Sequence, residues 1–536
     1  MKKLKLVCVA IAMASAAPTF AGGLLTNTNQ HVAFNRMMSR EASIGIDGVY
    51  YNPAGVVFMG DGHHLAINWQ LAYQTRTINN DYSLFTNNVN NPITPRDFKG
   101  KAFAPVIPSF QYAYNKGKWS FQANFSLTGG GGKCTFDDGL GSFEKIVSET
   151  AIAACGLAGV VDQTLGNKLG QPGMEMFTSD QAFGKTGKYS FNSYMHGRQY
   201  YYGLSAGAAY KFCDNFSAFL GVRGVYALTN YYGYVENINV GNMPLYKVLD
   251  PTKENAANIE LSCDQTGVGF TPIIGVDYKT GRWNFSAKYE FKTRIRLKNK
   301  SVNQTPSIGN LPANLANQMT GILTARYQQA GLPLEQAKQQ AENTTNAVLN
   351  DPTVGATMMG LKTQFDQKLN KAIGEYEDGK KIAGDIPGYL ALGIGYSPVD
   401  AVRVNVGFHW FDDKNATSYN NRNKELKRGT LEYNAGVEVD VNKKITLSTG
   451  WQNTNYGLSD EYMDDKSFVV GSNSAAIGGV YHINKKMDLN VAYFHTFYQH
   501  KKTSETVQLA ADKSIVYNSD YTRNNNVFAV GLDINF

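Results

Sequence analysis

The feature that most limits the fold of this chain is an alternation of apolar and polar residues that keeps returning along it. Val402, Val404, Val406, Phe408 and Trp410 alternate with Arg403, Asn405, Gly407 and His409. Leu431, Tyr433, Ala435, Val437 and Val439 alternate in the same way with Glu432, Asn434, Gly436, Glu438 and Asp440. A period of two puts each set of side chains on its own face of a strand, so these segments are two-faced strands and the expected class is all-β. A soluble sandwich alternates too, and the pattern by itself does not place the chain in a membrane.

The connections between these segments carry the further information. Tight polar turns at Asn115-Lys116-Gly117-Lys118, Cys213-Asp214-Asn215, Thr280-Gly281-Arg282, Ser397-Pro398-Val399-Asp400, Asn442-Lys443-Lys444 and Asn484-Lys485-Lys486 alternate with long connections at 129–197, 232–262, 298–382 and 501–522. Short turns at one end and long loops at the other are the arrangement of an outer-membrane barrel, periplasmic and extracellular respectively. Counting segments from Leu65 onward gives about 14 strands, an even number as a single-chain bacterial barrel requires. The last segment carries Phe528, Val530, Leu532, Ile534 and Phe536 on one face, and a strand ending in Phe looks like the signal read by barrel-assembly machinery.

Composition agrees with this reading. Aromatic residues make up 12% of the chain and glycine is plentiful at 53, while mean hydropathy is −0.32. Beyond the N-terminal segment there is no apolar run long enough for a membrane helix. Met1-Lys2-Lys3-Leu4-Lys5, an apolar run from Leu6 to Ala17 and the small residues before Gly22 read as a secretory signal over residues 1–21. Its removal lowers the formal charge from +7 to +4, too mild a balance to argue for nucleic acid. Four cysteines remain, Cys134, Cys155, Cys213 and Cys263, with no CxxC pair to suggest zinc or redox chemistry. Cys134 and Cys155 either close a disulfide within one loop or stand as thiols. No catalytic constellation or cofactor motif is visible, and the expected assignment is a non-enzyme with no cofactor and no metal.

Residues 22–60 break the strand pattern. They are Gly-rich and polar at first, pass through a helix-compatible piece from His31 to Arg40, and reach the corner Asn52-Pro53-Ala54. Pro53 fixes its own φ and disfavours helix at Asn52, so the corner is rigid. An ordered segment upstream of the first strand suits a plug, or hatch, over 22–60 inside a barrel formed by 61–536. The run "AFNRMMSREASIGIDGVYYNPAGV" resembles the FadL/TodX/OmpP1 family of outer-membrane transporters of long-chain fatty acids and other hydrophobic compounds. Asn52, Pro53 and Ala54 stand as that family's NPA signature, and the signal, hatch length, strand number and terminal Phe extend the resemblance over the whole chain.

The resemblance implies a monomeric barrel in the outer membrane of a Gram-negative bacterium, among outer-membrane lipids and lipopolysaccharide. It implies passive capture of a fatty acid or other hydrophobic small molecule by extracellular loops, transfer to a lumen pocket gated by the hatch, and lateral release beside a kinked third strand. The run Gly129–Gly132 after that strand either permits such a bend or begins a loop. Leu24 and Leu25, close behind the new N-terminus, are candidates for the hatch end that enters the pocket. Leu315, Met319, Ile322 and Leu323 share one helical face in the longest loop, and Phe365, Leu369 and Ile373 share another; these stripes either pack on each other or form an apolar landing groove. A buried carboxylate needs a cation, and by alternation Arg223, Lys288, Lys292, Arg294 and Arg403 face inward, with Arg223 and Arg403 foremost because they sit mid-strand among small or apolar neighbours; lumen acids such as Glu432, Glu438, Asp277 or Asp533 are the alternative partners. Two other functions fit a barrel: a general porin, which a hatch argues against, and a surface adhesin or structural protein, which long loops allow.

Overall fold

The computed structural model describes residues 24–510 and 513–536, so the signal segment lies outside the described residues. Its strands form one closed antiparallel sheet of fourteen crossings. They are β1 (Gly62–Asp81), β2 (Arg96–Lys116), β3 (Trp119–Phe136), β4 (Tyr189–Cys213), β5 (Phe216–Val240), β6 (Ile259–Thr280) and β7 (Trp283–Glu290 and Arg296–Gln304). The circuit continues through β8 (Lys381–Ala383 and Tyr389–Val399), β9 (Val402–Phe411), β10 (Thr430–Asn442), β11 (Ile445–Asn455), β12 (Ser472–Asn484), β13 (Met487–Tyr498 and Lys501–Ala510) and β14 (Lys513–Asn535). β1 closes the cylinder, pairing with β2 on one side and with β14 on the other, from His64–Asn535 to Asp81–Asn518. Closure leaves no sheet edge, which is what lets a β structure stand in lipid with every backbone group paired.

The alternation inferred from sequence is inside out. On β1 the outward positions are Ile67, Trp69 and Tyr73, each more than 40% exposed, while Asn68, Gln70, Gln74 and Arg76 on the inward face are buried. On β12 and β11 the outward residues Ile477 and Leu447 are 64% and 54% exposed. Exposed apolar faces and buried amides are untenable for a protein surrounded by water and are the expected polarity for one surrounded by lipid. Aromatic pairs such as Trp119 with Tyr210 and Trp283 with Tyr396 gird the outer wall near the short turns, their ring centroids 4.7 and 4.3 Å apart.

Each short turn is a two-residue hairpin, as between Cys213 and Phe216. At the far end the strands run further than their apolar pattern. β3 reaches Phe136 and β4 starts at Tyr189, β5 and β6 extend the 232–262 connection to a hairpin turning at 241–258, and 501–522 is largely a hairpin of β13 on β14. Above the lipid both strand faces meet polar surroundings, so pairing persists where the alternation of apolarity stops. Within the loops lie α3 (Gly141–Leu169), α4 (Tyr246–Leu249), α5 (Leu311–Gln329), α6 (Leu334–Leu349) and α7 (Pro352–Ile373), numbered after the hatch helices α1 (Val32–Met37) and α2 (Gly48–Tyr51). Leu315, Met319 and Leu323 on α5 join Ala341 and Val348 on α6 and Phe143, Val147 and Val161 on α3 in one buried cluster, whereas Ile322 is 46% exposed. Cys134, Cys155, Cys213 and Cys263 are all thiols, so no disulfide joins Cys134 to Cys155.

Ile477 lies midway along the outward face of β12. Ile477→Arg is expected to cost about 2–4 kcal/mol of barrel stability, read as a lower urea midpoint in lipid vesicles, whereas Ile477→Leu leaves the midpoint unchanged.

Candidate functional site

The hatch has a core of its own made of three rings. His31 caps α1, its Nδ1 accepting from the Ala33 N–H at 2.9 Å, and α1 ends at Met38 in the left-handed region. This places Phe34 in a stack on Tyr51, with centroids 5.0 Å apart, and Tyr50 packs edge-on to Tyr51. The Tyr51 hydroxyl donates to the Thr28 carbonyl at 2.7 Å and accepts from the Gln30 N–H at 2.8 Å, tying the N-terminal stretch to α2.

The Asn52-Pro53-Ala54 corner then bolts the hatch to the wall. Asn52 Nδ2 donates to Asp277 Oδ2 on β6 at 2.6 Å, the Pro53 carbonyl accepts from Gln122 on β3 at 2.7 Å, and the Ala54 carbonyl accepts from Ser217 on β5 at 2.7 Å. Asn52 Oδ1 accepts from the Gly55 N–H, and a side chain at Gly55 would put its Cβ 2.4 Å from Asn52 Nδ2. The corner is rigid because it docks three strands at once.

Further up, the hatch is held by charge. Arg36 and Arg40 both reach Glu438 on β10, which also accepts from Arg403 of β9 at 2.7 Å. Arg40 forks onto Asp47 at 2.7 and 3.1 Å. Burial pushes the Asp47 carboxyl up, but the Arg40 guanidinium outweighs it and holds Asp47 below the usual carboxylate range. His409 is held between two carboxylates, its Nε2 2.7 Å from Glu41 Oε1 and its Nδ1 2.8 Å from Glu432 Oε2.

Beside this network the wall opens. β2 and β3 pair from Lys116–Trp119 to Phe110–Phe125 and again from Phe103–Lys133 to Gly100–Phe136, but the stretches 104–109 and 126–132 between them do not pair. Pro105 and Pro108 bring no N–H to a ladder. β3 meanwhile bulges against β4 at Leu127/Gly129 and Gly130/Gly132, with Gly130 and Gly131 at φ +71° and +141°. The hatch fills in for the missing partner: Thr26 bridges Gly129, Asn27 N–H donates to the Thr128 carbonyl at 3.0 Å, and Gln30 Nε2 donates to the Leu127 carbonyl at 2.7 Å. From β2, Ser109 and Gln111 both donate to the Gln30 carbonyl. Above these polar contacts the window carries an apolar patch, Ala104, Ile107 and Leu127, packed with Met38 of the hatch.

Two of the cavities among the described residues bear on a path to the hatch. An apolar one of about 160 Å³ sits among the loops, lined by Phe143, Leu157, Val161, Ile238, Leu311 and Leu315, with Leu361 of α7 beside them. A larger one of about 780 Å³ occupies the upper lumen and is bordered by Leu24 and Leu25. The Leu24 N–H donates to Asp413 Oδ1 at 3.2 Å, and Leu25 packs beside Tyr201 and Leu297. Burial pushes the Asp413 carboxyl up to about 6 and the Glu375 carboxyl, on the same cavity, up to about 7.

No protein-family model matches this chain, and neither does any curated protein. Solved structures do. A Pseudomonas aeruginosa FadL homologue superposes with a TM-score of 0.57 over 96% of this chain and 100% of its own, at 14% identity. The fold is that of the FadL homologues. A deletion mutant of the monoaromatic hydrocarbon channel TodX superposes with a TM-score of 0.51 over 96% of this chain and 100% of its own, at 13% identity.

Within this FadL-type fold the candidate ligand residues separate. Leu24 and Leu25 border the lumen cavity. Phe365, Leu369 and Ile373 belong to α7, and their side chains lie outside the described residues. Arg223 and Arg403 face inward as alternation requires, yet neither is left as a cation for a ligand. Arg223 forks onto Glu290 at 2.6 and 2.9 Å, beside Lys288, and Arg403 is shared by Glu438 and Asp440. Glu290 comes from two strands away and Glu438 and Asp440 from the strand next to Arg403, so sequence position alone did not expose the pairing. The inward Arg76 of β1, which sequence reasoning passed over, is 1% exposed and has no hydrogen-bond partner at either Nη. In the sequence the gap is marked by Gly129–Gly132 on β3, and Pro105 and Pro108 on β2 are a second signal that went unread.

Two outcomes follow from this geometry. Asn52→Ala removes the bond to Asp277 and should cost about 1–3 kcal/mol, read as faster protease cleavage within 24–60 while the barrel stays folded. Glu375 titrates near 7 when folded against 4.5 for an exposed glutamate, so its ionisation opposes folding increasingly between those values and constantly above them. Glu375→Gln should therefore gain amide-exchange protection at 460–467 over the native protein as pH rises from about 5 to about 8; parallel pH responses would refute this.

Proposed function

We propose that this chain is a passive channel for hydrophobic small molecules, fatty acids among them, across the outer membrane of a Gram-negative bacterium. The observation that carries the reading is the apolar window between β2 and β3, backed by the hatch. Ligand enters the apolar cavity among α3, α5 and α7, passes to the lumen cavity at Leu24 and Leu25, and leaves sideways through the window into the bilayer. A molecule that never re-enters water keeps its hydrophobic stabilisation along the way, about 0.8 kcal/mol for each buried methylene. Differential affinity along the path is then sufficient and no energy source is required.

The fold shared with a FadL homologue and with a monoaromatic hydrocarbon channel supports this reading. The hatch, tied across the lumen through Glu438, His409 and Asp277, argues against a general porin. The barrel closes within one chain, so a monomer is sufficient. Its folding in the outer membrane calls on the barrel-assembly machinery, and lipid and lipopolysaccharide surround its apolar belt.

Gly130→Val tests the exit. A Cβ at Gly130 would lie 2.3 Å from the Gln199 carbonyl, and φ there is +71°. Distorting the bulge is expected to slow uptake of a fluorescent long-chain fatty acid by about tenfold, equivalent to ~1.4 kcal/mol, while the folded barrel keeps its heat-modifiable mobility on gels. Uptake at the native rate by the folded variant would count against lateral release.

A further inference from the structure

We propose that Lys101 of β2, Lys133 of β3 and Arg198 of β4 form a phosphate-binding site on the outer wall, at the upper rim of the β2–β3 gap, which holds a lipopolysaccharide molecule by a phosphate of its lipid anchor. The inward neighbours fix the direction of the three side chains. Ala102, Cys134 and Gln199 are buried on the lumen side, so Lys101, Lys133 and Arg198, one residue away in each strand, point outward. Lys101 and Lys133 are exposed and Arg198 is half-buried. Lys133 and Arg198 are register partners, and Lys101 is paired with Thr135, two residues along from Lys133. Directly opposed side chains stand about 5 Å apart at Cβ and diagonal ones about 7–8 Å, so the three cations share one patch.

Like charges directly opposite one another destabilise a sheet, and here no carboxylate relieves them. Among the described residues none of the three forms an ion pair or a side-chain hydrogen bond, and Arg198 Nε is buried with no partner. The nearest carboxylate in their cross-strand row, Asp264, stands two strands beyond Arg198 and accepts from Asn230 at 2.8 Å. By contrast Lys99, two residues further along β2, meets Asp97 at 3.2 Å. An anion supplied from outside would offset the repulsion. One guanidinium and two ammonium groups suit a phosphate monoester, with its charge near −2 and three acceptor oxygens.

The depth of the patch selects a lipid head group. Trp119 and Tyr210 mark the girdle near the short turns, and Lys133 lies fourteen residues further along β3. At about 3.3 Å per residue and a tilt of about 40° that is roughly 35 Å higher, just above a hydrocarbon layer of about 30 Å. Aromatic side chains stand beside and below the cations. Tyr73 and Phe103, 43% and 55% exposed, occupy the same cross-strand row as Lys133, and Tyr200 and Tyr202 follow Arg198 down β4 with ring centroids 5.7 Å apart. An aromatic belt topped by cations outlines a membrane–water boundary. The outer leaflet there is lipopolysaccharide, whose anchor carries phosphates on its sugars, and the exposed rings give its acyl chains a surface that a free phosphate would not use. Phe103–Lys133 is also the first β2–β3 pair above the unpaired stretch. A phosphate shared by β2, β3 and β4 ties the three strands together where the ladder resumes and stations a lipid over the gap.

The inference rests on the outer-membrane placement proposed above but not on transport, and the two fail separately. Purified mature barrel in detergent would be titrated with diphosphorylated lipid A, its dephosphorylated form, phosphatidylglycerol and inorganic phosphate, with bound lipid read by native mass spectrometry. The native protein is expected to bind diphosphorylated lipid A about tenfold or more tighter than the dephosphorylated form, a preference that weakens as salt is raised. Lys133→Gln combined with Arg198→Gln should erase the preference, Lys133→Arg should keep it, and Lys443→Gln, in a short turn at the opposite end, should leave it unchanged. Because the double substitution removes directly opposed like charges, that variant should unfold at no lower temperature than the native barrel without lipid, which excludes misfolding as the cause. Equal binding of the two lipid A forms by the native protein, or an undiminished preference in the double variant, would overturn the site. Phosphatidylglycerol bound as tightly as lipid A would overturn the assignment to lipopolysaccharide, and displacement of lipid A by an equal concentration of inorganic phosphate would overturn the lipid. In each of these cases uptake of the fluorescent fatty acid at the native rate leaves the transport reading standing.

Discussion

Glu438 is the point on which the rest of the arrangement depends. It is buried on the inner face of β10 and meets three guanidinium groups, Arg36 and Arg40 from the hatch and Arg403 from the next strand. A barrel whose inward face is polar cannot hold its plug by a hydrophobic core. It holds it by charged hydrogen bonds, which are directional and fail if either partner shifts. Such buried pairs add little net stability after desolvation, and their effect here is positional.

What they position is the N-terminal stretch of the hatch. With α1 fixed through Arg36, and α2 fixed through Asn52 and its strand partners, residues 26–30 run behind the bulged part of β3 and take over hydrogen bonds that β2 does not make. Without that cover, the edge of 126–132 that faces β2 would stand bare at membrane depth, which lipid does not tolerate. Hatch and gap are thus one structure. Leu24 and Leu25 follow from the same placement and reach the lumen cavity two residues beyond the bridge at Thr26.

Much of this was legible in the chain itself. The strand faces could be read from residues such as Val404 and Phe408, and the six short turns from their Asn, Gly and Lys clusters, because both depend only on neighbours within a few positions. The hatch corner at Asn52-Pro53-Ala54 was legible for the same reason. The Gly129–Gly132 run was open to a bend or a loop start, and its pairing with Tyr201, Tyr200 and Gln199 shows a bulged strand. The loop stripe was legible in part: Leu315, Met319 and Leu323 are buried together, while Ile322, on the same nominal face, meets solvent because α6 and α3 cover only part of α5.

The sequence by itself determined the polarity of each strand, the number of crossings and the rigidity of the hatch corner, since these arise from local periodicity and backbone restriction. The charge state of the lumen was decided only in three dimensions. Arg223 and Arg403 stand among small or apolar neighbours in the chain, yet Glu290 reaches Arg223 from two strands away and Glu438 and Asp440 reach Arg403 from the next strand. Arg76 and Arg523 are 447 positions apart and meet only because β14 closes the barrel against β1 in that register. Coulomb interactions act through space, and no spacing along a chain reveals which charges a closing cylinder will bring face to face.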